Sequence, residues 1–127
     1  MSRHSCFGGS AALSVDVADE GVKYDIGKLL YSLLPPDAVD EIVAVLNYGA
    51  GKYAPRNWEK GMSWGRNISA ALRHIFAWLA REDNDPETDI NHLAHAVIDL
   101  LFVLAYQLRG VGEDDRGAAV KLIRRES

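Results

Sequence analysis

Cysteine is nearly absent from the sequence, since Cys6 is the single one among 127 residues. One thiol cannot form an internal disulfide, and it cannot build a structural zinc site from several thiolates. A chain without disulfides fits a reducing compartment, so we expect a cytoplasmic protein.

Excess positive charge and long apolar runs are absent as well. The 14 Lys and Arg residues are outnumbered by 18 Asp and Glu residues, which gives a formal net charge of −4. A protein that binds duplex nucleic acid needs a basic surface instead. No apolar run reaches the roughly 18 residues of a membrane span, and the first residues lack the apolar stretch of a signal peptide. We therefore expect neither nucleic acid nor a membrane as a partner.

The apolar residues do not alternate as they would in β-strands. In three stretches they recur every three or four positions, which is typical of amphipathic helices. The predicted helices span about residues 36–53, 63–82 and 89–110, and the second begins at Ser63 or Asn67. We therefore predict an all-α fold, a small bundle of three long helices with short flanking helices that oligomerisation completes.

The chain divides into three regions by composition. Residues 1–22 are small, polar and aperiodic, and we interpret them as a flexible leader. Residues 23–110 form the helical domain, in which Asp89 is the expected N-cap of the third helix. Residues 111–127 form a C-terminal tail or one short helix.

Each predicted helix carries a row of polar or ionisable side chains beside an apolar stripe. We expect the stripes to face the core, where the helices bury them against one another or against a second subunit. The stripes are Ile42, Leu46, Gly49 and Tyr53; Ile68, Leu72, Ile75 and Leu79; and Leu93, Val97, Leu100 and Leu104. The rows are Asp37, Glu41, Tyr48 and Lys52; His74, Trp78 and Glu82; and His92, His95 and Asp99. Carboxylate oxygens bind Mg²⁺ or Mn²⁺, and a nearby imidazole can orient a ligand or accept a proton. We therefore predict a divalent-metal site where the rows meet, although each residue taken singly is also explained by packing or solvation.

The loop APRNWEKGMSWGR, between the first two helices, combines cations, an amide and tryptophans. Cations there can bind the phosphates of a nucleotide, and an amide or an aromatic ring can contact its base. The alternative is that the cations interact favourably with the dipole at the C-terminus of the first helix and that the tryptophans anchor the loop to the bundle. The predicted substrate-binding residues are Lys28, Lys52, Arg56, Asn57, Trp58 and His74.

Three familiar catalytic motifs do not fit. GAGK, residues 49–52, lacks the first glycine of a phosphate-binding loop and follows no strand. No adjacent His-Asp dipeptide is present, as a phosphohydrolase of the HD type would require. No serine or cysteine nucleophile has a recognisable partner base.

Several strings resemble a known family. They are GK followed by LLPP, then YGA-x-KY, RNWEKG, RH-x3-W-x3-ED-x-DPE and HLAHA, within residues 23–110. The chain resembles small phage and prophage proteins that correspond to the N-terminal domain of dATP/dGTP diphosphohydrolases. This family is similar to the MazG-like all-α nucleotide pyrophosphohydrolases.

The resemblance implies a helical bundle, assembled as a dimer or tetramer in the cytoplasm of a bacterial host, with Mg²⁺ held by carboxylates on two neighbouring helices. Water then attacks a nucleoside triphosphate to give the monophosphate and pyrophosphate. Asp99 falls on the aspartate of the last metal helix, but His95 stands where that pattern has a glutamate. The resemblance leaves two acidic pairs open as the remaining ligands: Glu82 with Asp85, or Asp37 with Glu41.

The sequence thus leads to three hypotheses. The first is an enzyme that hydrolyses purine deoxynucleoside triphosphates with Mg²⁺ or Mn²⁺. Its predicted catalytic residues are Glu41, Glu82, His95 and Asp99, and its predicted metal ligands are Glu41, Glu82, Asp85 and Asp99. The second is a catalytically weak module that binds nucleotide or a host protein, and the third is a purely structural helical oligomer.

Overall fold

The computed structural model describes residues 27–125 and divides the chain into two compact units, residues 1–34 and 35–127. In the first unit the described residues include one 3₁₀ turn, Tyr31–Leu33. The predicted flexible leader lies outside the described residues. The second unit contains all the longer helices described below.

Three α-helices form the second unit within the described part of the chain. They are α1, Pro36–Lys52; α2, Trp64–Leu79; and α3, His92–Arg109; a 3₁₀ turn, Asn57–Lys60, lies between α1 and α2. Residues 27–125 contain no β-strand, so the predicted all-α class is confirmed. None of the helices in this range has the length and apolarity that a bilayer crossing requires.

The start of α2 is capped by the C-terminal tail. Ser63 occupies the N-cap position, but its side chain makes no capping hydrogen bond. Instead the Gly65 amide donates to Asp115 Oδ1 at 2.8 Å, and the Trp64 amide donates to the carbonyl of Glu113 at 2.9 Å. The tail therefore satisfies helix-terminal amides from 50 residues away, and residues 111–125 form no helix.

The start of α3 differs from the prediction. Asn91 is its N-cap, and the Asn91 side chain accepts a hydrogen bond from the Leu93 amide at 2.8 Å. Asp89 lies two residues earlier with a φ of 59°, so the prediction that it caps the helix was wrong. At the other end Gly110 adopts the left-handed conformation, which confirms the predicted stop.

Helix α3 is the centre of the unit, because it packs against both α1 and α2. The buried positions are mostly small or polar: Asn67 and Ala71 on α2, and His92, Ala94, Ala96, Ile98 and Tyr106 on α3. Small side chains at a helix contact let the two backbones approach closely. Within the rows, His92 is buried and His74, His95 and Asp99 are half-buried, whereas Trp78 is 39% exposed.

The apolar stripes that we expected to face the core are largely exposed. Leu79 is 61% exposed, Leu100 45% and Leu104 52%. In a single chain the stripes of α2 and α3 therefore do not face the core, and their burial against a second subunit stays a prediction. Hydrophobic periodicity identifies an apolar face, but it does not say whether the partner of that face lies in the same chain.

Tyr106 ties the loop between α1 and α2 to α3. Its side chain is 1% exposed, and its hydroxyl donates to the carbonyl of Trp58 at 2.6 Å. The Trp58 ring stacks on Phe102 with centroids 4.5 Å apart, and the Arg109 guanidinium lies 5.3 Å from the same ring. These contacts hold the loop against the C-terminal half of α3.

Replacing Tyr106 by Phe should destabilise the fold. The variant keeps the ring but leaves the Trp58 carbonyl without this donor, which costs about 1–2 kcal/mol. For a domain of this size we expect the melting temperature to fall by several degrees. Tyr31→Phe is the matched control, since Tyr31 is 74% exposed. Equal melting temperatures for the two variants in thermal denaturation would contradict this account.

Candidate functional site

A cavity of about 500 Å³ lies among α1, the α2–α3 loop and the central part of α3. This volume is within the range of small-molecule sites. Its ionisable lining residues include Lys52, His74, Asp85, Glu87, His95 and Asp99. Groups separated by up to 47 positions in the sequence therefore meet around one space.

A buried histidine connects the two helices beside this cavity. The His92 side chain is 5% exposed; its Nε2 lies 2.7 Å from Glu82 Oε1, and its Nδ1 lies 2.8 Å from His74 Nδ1. An ionised carboxylate accepts hydrogen bonds only, so Nε2 of a neutral His92 carries the proton. Its Nδ1 lone pair then faces His74.

The α2–α3 loop, residues 80–91, orients Asp85. Asp85 Oδ1 accepts hydrogen bonds from the amides of Glu87 at 2.7 Å and Thr88 at 3.3 Å. Burial raises the pKa of Asp85, but these two amides outweigh it, so that the pKa lies below its usual value. Asp85 is therefore a carboxylate with one oxygen fixed by the backbone and the other, Oδ2, 3.9 Å from His74 Nδ1.

The pKa values of His74 and His95 lie below the usual histidine value, which favours their neutral forms. Burial lowers the pKa of His74, and the neighbouring His95 and His92 lower it further. Burial is also the main cause of the lowered pKa of His95. The rings of His74 and His95 stack with centroids 4.7 Å apart, and His95 Nε2 lies 2.7 Å from Thr88 Oγ1. Neutral imidazoles are able to ligate a metal or to accept a proton.

The pKa of Asp99 is shifted upward, in the opposite direction to the pKa of Asp85. Burial raises its pKa to about 6, and the charge of Arg73 opposes this shift only in part. A cavity-lining carboxyl group that titrates near pH 6 is suited to acid–base chemistry.

The mouth of the cavity on the α1 side contains an ion pair. Glu87 Oε2 accepts a hydrogen bond from the Tyr48 hydroxyl at 2.8 Å and one from Lys52 Nζ at 3.1 Å. Both donors lower the pKa of Glu87. These exposed contacts connect α1 to the α2–α3 loop and hold the Lys52 cation at the cavity wall.

Three of these side chains could hold a metal ion together. His74, Asp85 and His92 each offer one ligand atom, and the three atoms lie within 4.8 Å of one another. They come from α2, from the α2–α3 loop and from the first turn of α3.

Several residues predicted from the sequence line the cavity: Lys52, Asn57, Trp58, His74, Asp85, His95 and Asp99. Glu82 is hydrogen-bonded to His92, and His92 in turn contacts the cavity-lining His74. The structure does not bring Glu41 to them, because Glu41 lines a second cavity, of about 440 Å³, with other residues of α1 and α3.

Two predicted cations are placed differently. The Arg56 guanidinium is 78% exposed and pairs with Glu59 at 2.7 Å, and Arg56 is not among the residues that line the cavity. Lys28 belongs to the first unit, residues 1–34, where it is exposed. Phosphate binding by either residue stays a prediction.

Three residues near the cavity were not predicted from the sequence in the roles that their positions suggest. His92 was not predicted as a ligand, and Glu87 and Thr88 were assigned no role. A signal for His92 was present, since His92 and His95 are three residues apart on one helix and so share a face. Glu87 and Thr88 belong to a loop without periodicity, so only the folded loop identifies them.

Comparison with known proteins agrees with this helical domain. A family model described as dATP/dGTP diphosphohydrolase, N-terminal, matches residues 18–116. The chain belongs to this family. A dATP/dGTP diphosphohydrolase of Salmonella phage PMBT28 is 35% identical over 108 residues, which are 84% of this chain and 37% of the phage protein. This chain thus spans just over a third of the length of that relative. No solved structure matches the chain significantly.

The candidate site belongs to the region shared with the dATP/dGTP diphosphohydrolase N-terminal family. All its residues, from Lys52 to Asp99, lie inside the matched range. The site therefore lies within the part of the chain that the family model matches.

Replacing Asp99 by Asn should stabilise the domain at high pH. The folded-state pKa of about 6 exceeds the unfolded value of 3.8, so the stabilising contribution of Asp99 is complete below pH 3.8 and is lost as the pH rises through 6. The asparagine side chain of the variant does not ionise. The variant should therefore gain stability over the natural protein between pH 4 and pH 8, by up to about 3 kcal/mol.

Chemical denaturation at pH 4.5 and pH 8 measures this difference. Asp40→Asn is the control, because Asp40 is exposed on α1, and its effect should stay within about 0.5 kcal/mol at both pH values. A stability difference between natural protein and Asp99→Asn that does not grow with pH would contradict the buried-carboxylate interpretation.

Proposed function

We propose that this domain hydrolyses the purine deoxynucleoside triphosphates dATP and dGTP to the monophosphate and pyrophosphate, with Mg²⁺ or Mn²⁺ as cofactor. One observation carries the proposal: a single cavity combines carboxylates, neutral imidazoles and a lysine, contributed by three helices and a loop. Membership of the dATP/dGTP diphosphohydrolase N-terminal family supports the substrate class.

The cavity offers a group for each requirement of phosphoryl transfer. Lys52 supplies a cation for the triphosphate. Asp99, with a pKa of about 6, is ionised at pH 7–8 and would accept the proton of the attacking water. His95 lies one helical turn before Asp99 and would orient that water or the phosphate. A bound divalent ion would polarise the phosphoryl group and offset its negative charge.

Lys52 must exchange partners for substrate to bind. It now pairs with Glu87 at 3.1 Å, and 45% of its side chain is exposed. An exposed ion pair of this kind contributes little to stability, so a triphosphate competes with it easily. Glu87 would then keep Lys52 at the cavity wall until substrate arrives.

Residues around Lys52 are suited to the nucleoside. Tyr53, 66% exposed, and Asn57 both line the cavity. An aromatic ring can stack on a base, and an amide can hydrogen-bond to its edge. Trp58 lines the cavity too, but its ring already stacks on Phe102, which supports the alternative that it anchors the loop.

Pyrophosphate release from dATP and dGTP, with Mg²⁺ and with Mn²⁺, tests this function in the full chain. Lys52→Met should lower kcat/KM at least tenfold, mainly through KM, because it removes a phosphate contact. Asp99→Asn should lower kcat while leaving KM nearly unchanged, because it removes the base and keeps the cavity. Lys60→Met is the control, since Lys60 is exposed and is not among the cavity-lining residues.

Absence of pyrophosphate release with both Mg²⁺ and Mn²⁺ would contradict the proposal that the domain is an enzyme. If the same nucleotides then raised the melting temperature, and Lys52→Met abolished that shift, the domain would be a binding module without turnover.

We also propose that a second copy of the chain covers the exposed apolar faces of α2 and α3. The faces consist of Ile68, Leu72, Phe76, Leu79, Leu100, Leu101, Leu104 and Leu108, which are 36–78% exposed. Burying one such side chain completely contributes about 1.5–3 kcal/mol, which at about 25 cal/mol per Å² corresponds to roughly 60–120 Å² of apolar surface. Because these eight side chains are about half exposed, they present roughly 250–500 Å² of apolar surface to solvent. This area is comparable with the apolar part of a standard interface of about 800 Å² per partner.

Light scattering coupled to size-exclusion chromatography tests this assembly. We expect a dimer or tetramer, and we expect Phe76→Glu or Leu104→Lys to shift it to the monomer, because each places a charge inside the apolar contact. Leu122→Lys is the control, since Leu122 is 66% exposed and lies outside the helices. A natural protein that is monomeric at micromolar concentration would contradict the proposal.

A further inference from the structure

We propose that His74, Asp85 and His92 form a binding site for a divalent transition-metal ion, with Glu82 as the residue that positions His92. This ligand set differs from the carboxylate set that the sequence predicted, because two of its three members are imidazoles. Its role in hydrolysis rests on the proposed function, whereas ion binding itself does not.

The distances among the three ligand atoms suit one ion. His74 Nδ1 lies 2.8 Å from His92 Nδ1 and 3.9 Å from Asp85 Oδ2, and all three atoms lie within 4.8 Å of one another. An ion with ligands at about 2.1 Å separates neighbouring ligand atoms by about 3.0 Å in an octahedron and about 3.4 Å in a tetrahedron. Shifts of a few tenths of an ångström to about one ångström would complete the coordination.

Glu82 determines which nitrogen of His92 is available. Its Oε1 lies 2.7 Å from His92 Nε2 and places the proton there, so the Nδ1 lone pair points away from Glu82 and towards His74. A carboxylate that receives the second N–H of a metal-bound histidine is a recurrent outer partner in metal sites. The buried His92, held in one tautomer by the half-exposed Glu82, is therefore oriented as a metal ligand.

The α2–α3 loop orients Asp85 for ion binding, as Glu82 orients His92. Two backbone amides occupy Oδ1 and keep the group ionised, which leaves Oδ2 on the side of His74. The loop thus presents one negative oxygen to the two imidazoles. In the ion-free protein His74 Nδ1–H donates to the Nδ1 lone pair of His92. Ion binding therefore requires the His74 tautomer with its proton on Nε2, and the cation would then bind two imidazole lone pairs and one carboxylate oxygen.

The donor atoms select the kind of ion. Imidazole nitrogen favours Fe²⁺, Co²⁺, Ni²⁺ and Zn²⁺ over Mn²⁺, whereas Mg²⁺ prefers oxygen ligands and keeps most of its water. Three protein ligands also leave coordination positions open for water or phosphate, as in catalytic sites. His74 and Asp85 line the 500 Å³ cavity, so a phosphate bound there would reach the ion.

Isothermal titration of the chelator-treated full chain with Mn²⁺, Co²⁺, Zn²⁺ and Mg²⁺ tests the site. We expect one transition-metal ion per chain, Mg²⁺ affinity lower by more than tenfold, and a Co²⁺ absorption spectrum typical of nitrogen ligands. Asp85→Asn should weaken binding more than tenfold, because it removes the charged ligand while its remaining oxygen still accepts the loop amides. Asp40→Asn is the control, since Asp40 is exposed on α1 and is not among the cavity-lining residues, and it should leave ion affinity unchanged.

Glu82→Gln distinguishes a positioning residue from a merely structural one. We expect a 10–100-fold loss of ion affinity with the stoichiometry and the Co²⁺ spectrum retained, and little change in the melting temperature of the ion-free protein. An unchanged affinity would remove Glu82 from the proposal. Absence of transition-metal binding, or binding that Asp85→Asn leaves intact, would overturn the site.

The outcomes also separate this inference from the proposed function. Ion binding that depends on Asp85, without pyrophosphate release, would support the site and contradict the enzyme. Hydrolysis with Mg²⁺ that depends on Asp99, in a protein that binds no transition-metal ion through Asp85, would support the enzyme and overturn the site.

Discussion

The contact between His92 and its two partners organises this domain. His92 is buried in the first turn of α3, and it must satisfy both ring nitrogens there, because a buried polar group without a partner is costly. Glu82 satisfies one nitrogen from the α2–α3 loop and His74 the other from α2. The two helices and the loop between them are therefore held in one relative position by a polar contact, and the candidate site is built around it.

This polar contact also explains the electrostatics of the cavity. Small residues, among them Ala71 on α2 and Ala96 on α3, are buried in the unit, and the histidines of the two helices are buried or half-buried beside them. Burial then favours the neutral forms of His74 and His95 and raises the pKa of Asp99, whereas the loop amides keep Asp85 ionised. Two carboxylates in one cavity thereby acquire different roles: Asp85 is suited to binding a cation and Asp99 to accepting a proton.

The helices could be predicted closely, and the directions of their faces could not. The first helix was predicted to within one residue, because proline favours the first turn of a helix and no residue inside the segment interrupts it. The stop at Gly110 followed from the ease with which glycine adopts positive φ. Leu100 and Leu104 were assigned to the core because apolar residues are usually buried, yet both are about half exposed. Which side of a helix is covered depends on neighbours that periodicity does not describe.

The sequence by itself determined the class of the fold, the family and most members of the candidate site, since His74, Asp85, His95 and Asp99 are chemically distinctive residues on predicted helices or beside them. Only the tertiary structure decided how they combine. It separated Glu41 into another cavity, turned Arg56 outward to Glu59, and placed His92 between Glu82 and His74. The physical reason is that metal and substrate sites depend on distances of a few ångströms between side chains from different elements. Those distances are set by how α3 packs on α1 and α2 and by the path of the loop from residue 80 to residue 91.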